Sequence, residues 1–86
     1  MCFQGTYGGD DSGVFNLITQ NGNVYGLAKS NGDTDSIYLE GTITSSNITG
    51  VFTGGSFSGT LNGNSIGGNW QNTILETGTW SGQRTL

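Results

Sequence analysis

Histidine and proline are missing from this chain, and cysteine occurs once, at Cys2. Without histidine no Ser-His or Cys-His nucleophile pair can be assembled, and a lone cysteine makes no disulfide within the chain. Cations are nearly absent too. Lys29 and Arg84 stand against six acids, for a formal net charge of −4. Two cations cannot track a phosphate backbone, so nucleic acid is not an expected partner. No apolar run approaches the length of a membrane-spanning helix, and no signal-peptide pattern opens the chain. Helix formers are scarce, and no segment carries apolar residues at helical spacing. What remains is an all-β chain.

The chain has 86 residues, 17 of them glycine. That length predicts one small domain over 1–86 with a thin core, which oligomerisation would help to stabilise. Turn signals fall at nearly even intervals, at Gly9–Ser12, Asn21–Gly22, Asn31–Asp35, Ser45–Ser46, Gly54–Gly55, Asn62–Gly63 and Gln71–Thr73. Asn-Gly pairs suit type I′ hairpins, whose two central residues both take positive φ. Seven turns separate eight strands, and short turns between antiparallel neighbours make an up-and-down meander.

Most strands read apolar–x–Gly–x–apolar. Phe3-Gly5-Tyr7, Leu39-Gly41-Ile43, Ile48-Gly50-Phe52, Phe57-Gly59-Leu61 and Ile66-Gly68-Trp70 fit, and Val24-Gly26-Ala28 is a weaker copy. Glu76-Gly78-Trp80 keeps the glycine and the aromatic, whereas the second strand, Val14 to Thr19, has no glycine. From Gly41 on, the glycines recur every nine residues and then after ten, an internal repeat of one strand and one turn. Alternate residues of a strand share a face, so each glycine lies beside its two large neighbours on the inner face, while Thr, Ser, Asn and Gln face out. Mid-strand glycine weakens a flat sheet but permits sharp bending and close backbone approach. The pattern predicts a small closed β-barrel, with a β-sandwich of the same strands as the alternative. A parallel calcium-binding roll of nine-residue repeats needs an Asp in each repeat, and residues 41–74 contain no acid.

The C-terminal run SIGGNWQN…TGTWSGQR resembles the close of small Gly/Thr/Ser-rich β domains in bacterial lipoproteins and other exported proteins. There a Gly-x-Trp strand precedes a Gly-Thr-aromatic-x-Gly strand. TGTWSGQ at 77–83 also resembles one strand of the avidin family, an eight-stranded meander barrel. The resemblance implies a barrel and an extracellular, periplasmic or cell-envelope location, in keeping with a surface built from Ser, Thr and Asn. Avidin-like ligand binding needs polar side chains converging inside the barrel. The inner positions here are mostly Gly and apolar, so that function does not carry over.

Few residues offer chemistry. Cys2 is the candidate for a lipid anchor, because lipoproteins are cleaved just before a cysteine, and a chain whose signal is replaced by Met begins Met-Cys. Asp33 and Asp35 stand at alternate positions of one turn, too few oxygen ligands for calcium without help, and Asp is common in turns because it caps its own backbone. Neither a metal nor a cofactor site is expected. Glu76 and Arg84 share the inward parity of the last strand and are expected to pair across the barrel mouth. No pair of facing carboxylates arises for glycoside hydrolysis, and no catalytic residue is assigned, so the protein is not expected to be an enzyme. Outside, Tyr25, Leu27, Tyr38 and Val51 replace the polar residues found elsewhere, joined by Val14 and Ile18 or by Phe15 and Leu17, whichever pair faces out. Apolar residues grouped on neighbouring strands predict an interface, most simply a homo-oligomer, or a contact with an envelope protein.

Two functions follow from different classes. One is an exported structural or protein-interaction module that works through its surface. The other is a carrier of a small apolar ligand inside the barrel. Volume decides between them. Phe3, Tyr7, Leu39, Ile43, Ile48, Phe52, Phe57, Leu61, Ile66, Trp70 and Trp80 all point inward and should fill a small barrel, which favours the module. A cavity would favour the carrier.

Overall fold

The computed structural model describes residues 1–86. Eight antiparallel strands close into a barrel in chain order: β1 (Cys2–Gly9), β2 (Gly13–Gln20), β3 (Asn23–Ser30), β4 (Ile37–Thr44), β5 (Asn47–Phe52), β6 (Gly55–Asn62), β7 (Ser65–Asn72) and β8 (Thr77–Arg84). β1 pairs with β8 as well as with β2, so no strand edge is left open. The sandwich alternative is thereby excluded. In β2 it is Phe15 and Leu17 that face in, while Val14 faces solvent.

The register fixes the width of the barrel. Following cross-strand partners around the wall leads from Gly9 through Gly78, Trp70, Phe57, Gly50, Gly41 and Val24 to Thr19. Thr19 N then donates to Met1 O, eight residues back along the chain from Gly9. Eight strands with a shear of about 8 is the geometry of barrels whose interior is packed with side chains rather than hollow. Every one of the eleven residues expected inside lies in the core or packs against it.

The turns differ in detail from the sequence reading. Asn21 and Gly22 both take positive φ, as a type I′ turn requires. The sixth turn is shifted by one residue: it is Gly63–Asn64, with only Gly63 positive, the pattern of a type II′ turn. Glycine serves at either central position, so the dipeptide Asn62–Gly63 does not by itself fix which residues turn. The last connection is also displaced, to residues 73–76, because the Asn72 side chain organises it. Asn72 Oδ1 accepts from Ile74 N (3.1 Å) and Glu76 N (3.0 Å).

Candidate functional site

The two ends of the barrel are built differently. At the base, where both termini and the β2–β3, β4–β5 and β6–β7 turns lie, Phe3, Leu17, Val24, Ile48 and Ile66 are 0–3% exposed, with Ile43 and Leu61 half-buried against them. Toward the mouth, under the β1–β2, β3–β4, β5–β6 and β7–β8 loops, Phe15, Ala28, Leu39, Phe57, Trp70 and Trp80 retain 6–8%. That residual exposure is a cavity of about 110 Å³, open at the mouth and walled mainly by hydrophobic side chains.

Two tryptophans form its frame, and glycines on neighbouring strands place them. Trp80 on β8 faces Gly68 on β7, which faces Gly59 on β6. A β-carbon on Gly59 would come within 2.6 Å of Trp80 Cζ2. The indole therefore lies across both glycines, and its N–H reaches Ser58 O (3.2 Å) and Asn69 O (3.1 Å). Trp70 does the same in the other direction. It crosses Gly78 on β8 and donates to Gly8 O on β1 at 3.1 Å. Each indole thus spans to the second strand away, with its one polar atom satisfied by backbone, as a buried tryptophan requires.

The other rings pack on these two edge to face. Phe15 and Phe57 clamp Trp80 at centroid distances of 5.7 and 5.8 Å, and Tyr7 meets Trp70 at 6.0 Å. These T-shaped contacts set the positive edge of one ring against the negative face of another. The rim is polar. Ser30 Oγ donates to Asp11 Oδ2 at 2.7 Å, and Tyr7 Oη lies 2.9 Å from Ser30 Oγ. The single serine hydrogen goes to the carboxylate, so the phenol is the donor to Ser30. Burial pushes the Tyr7 phenol above its ordinary pKa, and the charges of Asp11 and Asp33 add to this.

The residues singled out from sequence lie mostly elsewhere. Glu76 and Arg84 do not pair: Glu76 precedes the eight-residue β8 at the mouth and Arg84 ends it at the base. Equal parity put them on one face, but the length of the strand keeps them apart. Glu76 Oε1 instead accepts from Asn72 Nδ2 at 2.8 Å. Cys2 is half-buried at the base, and its backbone bonds to Thr85 and Leu86. Asp33 and Asp35 are exposed in the β3–β4 loop, where Lys29 Nζ donates to Asp33 O at 2.7 Å. On the outer wall Leu27 and Tyr38 are cross-strand partners, 42% and 62% exposed. Tyr25 opposes Glu40, which opposes Val51, so a carboxylate interrupts the apolar patch. The tyrosine, serine and aspartate of the rim come from three different segments, and nothing in their sequence spacing signals that they meet. No family model matches this chain, and no curated protein does.

Proposed function

We propose that the protein is a small non-enzymatic binding module whose aromatic cup takes one small, mainly apolar molecule. The observation that carries this reading is the cavity. A barrel of this strand number and shear has side chains enough to fill its interior; it is filled at the base and left open at the mouth. A closed apolar cavity of about 150 Å³ is enough to hold benzene. This cup is somewhat smaller but opens to solvent, so it suits a single ring or a short branched chain whose polar end stays at the rim.

Both indoles line the cup, so tryptophan emission reports occupancy directly. Titration with benzyl alcohol is expected to change emission saturably. Ala28→Leu places a larger side chain in the cavity and is expected to abolish the change while the barrel stays folded. No saturable response to benzyl alcohol, isobutanol or toluene from folded wild-type protein would overturn the reading.

A second reading concerns the outer wall. Leu27 and Tyr38 sit side by side and exposed, with Val14 and Val51 about half exposed nearby on the same face. Self-association through this face is the simplest use of it, and sedimentation equilibrium reads it out.

A further inference from the structure

The cup is short of free donors. The indole hydrogens of Trp70 and Trp80 are both spent on backbone carbonyls, and the hydroxyl hydrogens of Tyr7 and Ser30 run in one direction toward Asp11. Asn72 uses its amide oxygen and one amide hydrogen on its own loop. What faces an incoming molecule is therefore mostly acceptor: the second carboxylate oxygen of Asp11, the phenolic oxygen of Tyr7, and the π faces of the rings.

Charge points the same way. Asp11 is the only charged residue lining the cavity. Every acidic side chain except Glu40 lies in a mouth loop: Asp10 and Asp11 after β1, Asp33 and Asp35 after β3, Glu76 before β8. Arg84 is at the base. Lys29, nearer the mouth, is on the outer face of β3, with its ammonium held by a loop carbonyl. The molecule therefore presents its negative end where the cup opens, and such a field concentrates cations there and repels anions.

We infer that the cup selects a small organic cation, an ammonium group on an aromatic or branched apolar body, with the body among the rings and the ammonium at Asp11. The inference rests on the cup being a binding site at all. The ammonium supplies the donors that the site lacks, and aromatic walls attract a cation by their quadrupoles. A carboxylate or phosphate would meet Asp11 with no cation to offset it.

Three ligands of one shape separate the ideas: benzylamine, benzyl alcohol and benzoate, titrated calorimetrically into the full chain at pH 7 and low salt. Benzylamine is expected to bind about fivefold to tenfold tighter than benzyl alcohol, the size of one partly exposed charge pair with a cation–π contribution, and benzoate weakest. Asp11→Asn keeps an oxygen to accept from Ser30 and is expected to bring benzylamine down to the level of benzyl alcohol. Glu40→Gln, which removes the same charge from the outer wall, is expected to leave the preference intact. Equal binding of amine and alcohol to the wild type overturns the cation preference and leaves the cup standing, as does a preference that survives Asp11→Asn. Binding of none of the three overturns both.

Discussion

At Gly59 and Gly5 a ring from another strand lies where a side chain would project: Trp80 over the one and Phe15, 2.8 Å from where a β-carbon would stand, over the other. The carbonyl of the facing strand is closer still at both positions, so neither site has room for a methyl group. Gly59→Ala is accordingly expected to lose about 3 kcal/mol in urea unfolding, the upper end of the cost of overpacking, because backbone and indole must both move. Gly8→Ala, where nothing lies within 4 Å, should be neutral or slightly stabilising through the unfolded state. Tyr7 supplies a second test at this scale. Its folded pKa is raised, chiefly by burial, so the folded barrel retains the phenol proton at a pH where the unfolded chain has released it. That contribution is whole below about pH 10 and drains away as pH rises through the folded pKa. Stability measured against pH should fall more steeply above about pH 10 in the wild type than in Tyr7→Phe.

Each element carries its own period-two pattern, and that is why the strands and their inner faces were legible in the sequence. β2 was the exception: with apolar residues on both faces and no glycine between Val14 and Thr19, it offered no parity marker, and only its pairing with β1 and β3 assigns Phe15 and Leu17 to the core. Turn positions were less legible, because a turn is set by which residues the flanking ladders leave unpaired. The β7–β8 loop shows the cost of such a compromise. Asn72 gathers the loop amides, and Leu75 is left at φ 68° with 89% of its surface exposed. A branched side chain in the left-handed region is strained by about 1 kcal/mol or more, part of which the unfolded-state entropy of glycine offsets. Leu75→Gly should therefore raise the thermal midpoint by about 2–4 °C.

For the molecule as a whole, closure decides what the elements can do. Once β1 meets β8, no edge remains for strand addition, and contact with partners falls to the faces and the two ends. The exposed Leu27–Tyr38 pair is the strongest of these faces, and a small core stands to gain from covering it. If it self-associates, sedimentation equilibrium will show concentration-dependent dimer, and a Leu27→Ser, Tyr38→Ser variant will sediment as monomer at every concentration. A monomeric wild type throughout would dismiss the dimer and leave the cup untouched, because the patch lies on the outer wall and the cup opens inside the barrel.

The sequence by itself determined the strand class, the meander, the inner face and the shortage of reactive groups, since these depend on residue type and on a period of two that needs no partner to be read. The width of the barrel, the difference between its ends and the meeting of Tyr7, Ser30 and Asp11 were decided by the tertiary structure alone. Shear is a sum of pairings around the whole circle, and a cavity is a difference between the volume a wall encloses and the volume its side chains occupy. Neither quantity belongs to any one strand. The inward residues of the base and of the mouth look alike in sequence, yet only toward the mouth do the large rings lie along the wall, across glycines and toward carbonyls two strands away, beside the space that stays unfilled.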